Sequence, residues 1–188
     1  MSKAKLLLGV VGLAAIALWM RSSGGEAPLR DGLSLTYEWG GTLTRVRFTE
    51  VEGDLFRVEV EFANPDGPIW SGANAAGNGV MVTSRLRTTG GGVFELASLG
   101  PLWIPPGQVK EGGRAHGTRV AEVRSWRGWD VGVVRASVGM GAALRGEWYY
   151  EKTTGLLVGG TKSTAITGPG EGQTFALIES NLEGLGPH

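Results

Sequence analysis

The sequence predicts an all-β, antiparallel domain behind one N-terminal transmembrane helix. Three observations carry this expectation. Segments of strand length alternate apolar and polar residues with a period of two, from Leu33 to Asn181. Glycine makes up 33 of 188 residues and clusters between those segments, with 8 prolines and no Gly-X-Y period. After the N-terminal apolar run, no stretch of helix length carries a 3.6-residue period, and no helical crossover of the kind parallel strands need is visible. A sandwich, an open barrel or a curved sheet would each satisfy this pattern.

The N-terminus reads as a membrane anchor over residues 1–21. Lys3 and Lys5 precede the uncharged run Leu6 to Met20, and Arg21 closes it. The run alone would span roughly 22 Å as a helix, less than a hydrocarbon core of about 30 Å, a length that by itself favours the core of a cleaved signal peptide. The flanks extend it, because Arg21 can snorkel and Trp19 suits the interface. Gly9 and Gly12 are small enough to let a second membrane helix approach closely. The basic residues before the run slightly favour an inside N-terminus, which would put the β-domain on the extracytoplasmic side. Residues 22–31, with Gly24-Gly25 and Pro28, form a linker. Residues 32–188 form the β-domain.

Within that domain the elements follow in order. Leu33, Leu35, Tyr37 and Trp39 share one face of a first strand, and Gly40-Gly41 supplies a two-residue hairpin. The return strand, Thr42 to Val51, places Thr44, Val46 and Phe48 on one face. Glu52-Gly53-Asp54 turns the chain into Leu55 to Ala63, where Phe56, Val58, Val60 and Phe62 point one way. Asn64 to Pro68 stops that strand with turn chemistry. Val80 to Leu86 and Val93 to Leu99 read as strands around a triple glycine. Strands resume at Thr118–Trp126, Val131–Val138, Arg145–Glu151, Leu156–Thr161 and Thr174–Asn181. Between Glu151 and Leu156 a turn with Gly155 in the left-handed region is expected.

Composition and charge narrow the function. With no cysteine there is no disulfide framework, no thiolate metal site and no Cys nucleophile. Net charge is zero, which argues against nucleic acid as a partner. The charge is uneven: residues 85–145 carry nine basic and four acidic side chains, and the flanking segments are acidic. The basic set, including Arg124 and Arg135, suits either acidic partners or cross-strand pairing within the sheet, and pairing is the commoner use.

Catalytic equipment is sparse. His116 and His188 are the only histidines, and no Ser lies in a G-x-S-x-G setting. Gly160-Thr161-Lys162-Ser163 fails as a phosphate loop, since Thr161 precedes the lysine and strand-like residues follow. Glu147 and Glu151 flank Trp148-Tyr149-Tyr150, and paired carboxylates can hydrolyse glycosides, but a solvated strand face is far commoner. No catalytic residue, cofactor or metal is expected.

The aromatic loop GPLWIPPG, Gly100 to Gly107, draws more attention. Three prolines keep it out of a central strand, and Leu102, Trp103 and Ile104 offer an apolar anchor for a membrane or a partner subunit. Its other reading is a plug closing the end of the β-core.

Glu147 to Gly159, EWYYEKTTGLLVG, resembles a hairpin of extracytoplasmic β-domains of the lipoprotein-carrier-like, curved-sheet type. The resemblance covers about 13 of 188 residues, lacks the lipobox cysteine of anchored members and transfers no binding residue. It implies an exported antiparallel sheet with an apolar concavity.

Two functions fit these readings. One is a non-catalytic accessory subunit of a larger membrane complex, respiratory, photosynthetic or secretory, whose β-domain docks on integral membrane partners and on lipid. The other is a tethered extracytoplasmic carrier or sensor that binds an apolar ligand in a curved sheet.

Overall fold

A computed structural model describes residues 25–64, 71–72, 77–96, 99–115, 117–138, 144–164 and 173–185. The anchor, with Gly9, Gly12, Trp19 and Arg21, lies outside the described residues, as do His116 and His188. No helix among the described residues is long and apolar enough to cross a membrane.

The described chain is all-β and antiparallel. Its strands are β1 (Leu33–Trp39), β2 (Thr42–Glu52), β3 (Leu55–Ala63), β4 (Met81–Thr83), β5 (Glu95–Leu96), β6 (Gly100–Pro101), β7 (Arg114–Ala115), β8 (Thr118–Trp126), β9 (Trp129–Val138), β10 (Leu144–Glu151), β11 (Leu157–Thr164) and β12 (Gln173–Ser180). One turn of 3-10 helix, Pro106–Gln108, is the only helical element among them. Ten strands form one open sheet in the order β4-β3-β2-β1-β12-β11-β10-β9-β8-β7, and β5 and β6 pair separately. The sheet is two meanders joined where the first strand meets the last, β1 against β12.

The turns follow from local chemistry. Gly40 and Gly41 both have positive φ, 56° and 76°, as a two-residue hairpin with the native strand twist demands. Trp126-Arg127-Gly128-Trp129 uses the same geometry, with Arg127 at φ 51° and Gly128 at 81°. Gly155 has the expected left-handed φ of 72°.

The alternation read from the sequence places the core. Leu33, Leu35, Tyr37, Val46, Phe48, Phe56, Val58 and Val60 are all buried on one face, here called the inner face. Val120, Val134, Trp148, Tyr150, Leu157 and Phe175 continue it across the second meander. A smaller cluster of Trp129, Val131, Val133, Tyr149 and Val158 lies on the outer face. A bulge between Tyr149 and Tyr150 sets two residues of β11, Val158 and Gly159, against the single residue Tyr149.

Two expected strands are much shorter than the pattern suggested. Val80 to Leu86 yields only β4, because the chain turns at Leu86, whose φ is 51°. Val93 to Leu99 yields only β5. Their apolar residues are spent elsewhere: Leu86, Phe94, Leu96 and Leu99 join the core from above the inner face. The described residues from Leu86 to Leu96 and from Leu99 to Val109 therefore form a cover over the sheet.

Candidate functional site

The proline-rich loop belongs to that cover, which corrects the expectation of an exposed anchor. Leu102, Trp103 and Ile104 are 0%, 3% and 1% exposed. The prolines explain how such a loop can be buried. Pro101, Pro105 and Pro106 carry no N–H, so a buried run needs few acceptors. The remaining groups are met by the β10–β11 hairpin. Ile104 N donates to Gly155 O at 3.0 Å, and Leu157 N donates to Leu102 O at 2.9 Å. Trp103 Nε1 donates to Thr154 O at 2.9 Å. From the sheet, Trp148 Nε1 donates to Leu99 O at 2.7 Å and Tyr150 Oη to Pro101 O at 3.0 Å. The cover is thus clasped in both directions: Trp148 and Tyr150 donate to its carbonyls, and its own Trp103 donates to the hairpin.

The outer face holds the charged residues. Arg124 meets Glu122 at 3.1 Å and Glu147 at 2.9 Å, and Arg135 meets the same two carboxylates at 3.1 and 2.8 Å. Tyr149 Oη donates to Glu147 Oε2 at 2.8 Å, and Arg124 Nη2 donates to Tyr149 Oη at 3.0 Å. Partial burial would raise the Glu147 pKa, but hydrogen bonds from Arg135 and Tyr149 and the nearby Arg124 charge outweigh it, and the net shift is down. The basic excess of the middle segment is, at these positions, cross-strand pairing. Glu151 sits in the β10–β11 turn, accepting from Thr153 N at 2.7 Å and Thr154 N at 2.6 Å. These bonds hold its pKa below the ordinary value despite burial. Glu147 and Glu151 are therefore engaged in separate structural networks rather than facing a common space.

The feature that sequence reasoning missed is Lys162. It lies on β11, on the inner face, opposite Gly146 of β10 and Gln173 of β12. It is 5% exposed. Its ammonium sits 5.3 Å from the Trp39 ring centroid, 5.8 Å from Trp148 and 5.3 Å from Phe175. These distances fall within cation–π range. Among the described residues no carboxylate pairs with Nζ, and burial alone pulls its pKa down to about 8. Trp39 contributes a second polar group to the same place, because its Nε1 is buried without a hydrogen-bond partner.

Glycines make the cage possible. Gly160 pairs with both Trp148 and Phe175, and a Cβ there would press the Phe175 ring at 2.6 Å. Gly146 pairs with Lys162, and a Cβ there would meet the Trp148 ring at 2.9 Å. Removing those Cβ atoms lets two rings lie down beside the ammonium. The one sequence signal was the Gly159-Gly160 pair inside a strand, since glycine in a strand marks close approach.

Among the described residues no group of three or more His, Asp or Glu side chains is placed to hold a metal. Compared with family models, with curated proteins and with solved structures, the chain matches none of them significantly.

Proposed function

We infer that this is a non-catalytic binding protein, a carrier or sensor that holds an amphipathic ligand against the inner face of a curved, open β-sheet. The observation that carries the reading is the lone Lys162 ammonium, held in an aromatic cage at one end of a largely apolar face. Burying an unpaired charge is costly, and such groups are retained where they meet a ligand. The open sheet order supports a curved surface. Tyr37 Oη on β1 reaches Leu157 O on β11 at 2.8 Å, although the two strands are two places apart, about 10 Å in a flat sheet. This is also what the resemblance of the Glu147–Gly159 hairpin to curved-sheet domains implies. The apolar run Leu6 to Met20 would tether the domain to a membrane, with the sheet on the extracytoplasmic side.

The accessory-subunit reading loses its main support, because Leu102, Trp103 and Ile104 are core residues rather than a free docking surface. The test is direct. The full chain is purified under native conditions, denatured and extracted, and the extract is analysed by mass spectrometry. An apolar or amphipathic small molecule at near-equal molar amount is expected. An empty extract, together with no binding of a fluorescent apolar probe, overturns the reading.

A further inference from the structure

The polar groups of the inner face divide into two sets. Tyr37 Oη donates to Leu157 O at 2.8 Å, and Trp148, Tyr150 and Trp103 all donate to backbone carbonyls. Tyr37 thereby ties β1 to β11 within the sheet, and the other three stitch the cover to it. One buried donor is left over, the Nε1 of Trp39, and beside it the Lys162 ammonium has no carboxylate partner among the described residues. They share one cage, since the Trp39 ring itself packs on the ammonium at 5.3 Å. A folded protein leaves few buried donors unpaired, and one beside an ammonium without a counter-charge calls for an acceptor that the described residues do not supply.

Resting on the binding-protein reading, we propose that Lys162 and Trp39 form a headgroup site for the carboxylate of a long-chain monocarboxylate, its chain lying on the partly exposed inner-face rim at Trp39. The class follows from the site. One cation and one neutral N–H match the single charge and two oxygens of a carboxylate. A dianionic phosphate would leave one charge uncompensated against aromatic faces, which are themselves negative. The apolar body follows from the surroundings: the three rings of the cage and the apolar core on which the partly buried Trp39 packs. A small hydrophilic anion would gain nothing from them.

Three probes separate the possibilities: dodecanoate, its methyl ester and acetate. Each is titrated into the full chain in nonionic detergent while tryptophan emission is followed. Dodecanoate should bind at least tenfold more tightly than the methyl ester, in line with a charge-assisted hydrogen bond. Lys162→Met should abolish that preference, and Trp39→Phe, which keeps a ring and removes the N–H, should reduce it several-fold. Equal binding of acid and ester by the unaltered protein overturns the headgroup site and leaves the carrier reading standing. Retention of the preference in Lys162→Met also overturns the site. Acetate binding as tightly as dodecanoate overturns the amphipathic ligand, and no binding of either long-chain probe overturns the carrier reading with it.

Discussion

Replacing Lys162 by methionine should make the protein more stable at pH 7, which is the reverse of what most core substitutions do. The ordinary lysine pKa of 10.5 falls to about 8 in the folded protein because the ammonium is buried. A difference of this size corresponds to roughly 3 kcal/mol, at about 1.4 kcal/mol per unit. The sign follows from proton binding. Between pH 8 and 10.5 the unfolded chain holds a proton on this residue that the folded chain has released. Stability from this group therefore rises with pH through that window, and the full penalty applies below pH 8. The three rings offset part of it. At 5.3 to 5.8 Å they stand near the outer limit of cation–π contact, so about 0.5 kcal/mol each is appropriate. A net cost of roughly 2 kcal/mol remains. Methionine keeps the length of the side chain and removes the charge.

The expected gain is therefore about 2 kcal/mol at pH 7, or a rise in Tm of roughly 4–8 °C for a chain of this size. It should shrink towards zero above pH 10.5, where the unaltered lysine is neutral in both states. Urea unfolding of both proteins at pH 7 and at high pH measures the difference and cancels every other titrating group. A loss of stability at pH 7 comparable to the expected gain would refute the reasoning. It would mean that the cage stabilises the cation in its own right, so that no ligand is needed to account for it.

Other outcomes follow from the same packing. Gly155→Ala should cost at least about 2 kcal/mol, because Gly155 has φ 72° and an added Cβ would overlap the Ile104 carbonyl oxygen; denaturant midpoints check it. Trp103→Ala should cost about 3–5 kcal/mol as a core truncation, with the loss read in thermal unfolding rather than in membrane attachment, since Trp103 is 3% exposed and donates to Thr154 O. Burial raises the phenol pKa of Tyr37 and Tyr150 well above 10. The unfolded chain loses those protons first, so stability should fall as pH rises past 10, and phenolate absorbance from both should appear only with unfolding.

Much of the sheet was legible because period-two alternation reports directly on which face is buried. Thr118–Trp126 and Leu55–Ala63 fall where the pattern puts them. Phe56, Val58 and Val60 are the buried face. The cover was not legible, for a physical reason. Leu86, Phe94, Leu96 and Leu99 are as apolar as strand residues, and nothing local distinguishes a chain that enters the sheet from one that crosses over it. The prolines of Gly100 to Gly107 excluded a central strand correctly. They also suggested exposure, although a residue without an N–H is cheap to bury once its carbonyl finds a donor, as Pro101 O does in Tyr150 Oη. Lys162 was hidden by register. Its neighbours Trp39, Trp148 and Phe175 come from three other strands, and the bulge opposite Tyr149 decides which face of β11 they meet.

The cage also explains why β11 forgoes stability. Glycine weakens a strand, and Gly159-Gly160 gives up side-chain packing at two consecutive positions. On the outer face Gly159 is covered by Trp126, whose ring a Cβ there would strike, so that position serves ordinary packing. Gly160 and Gly146 differ, because the rings they admit close around an ammonium rather than around an apolar side chain. Valines at these positions with methionine at 162 would suit a strand better on propensity and on burial alike. The sheet instead combines two strand-weakening glycines, an unpaired cation and an unmet indole N–H at one end of its inner face. Elsewhere on that face apolar residues are packed and donors are paired. The departures coincide in space, at Trp39, Gly146, Gly160 and Lys162, and an acceptor-bearing ligand is the single condition that would make all of them favourable at once.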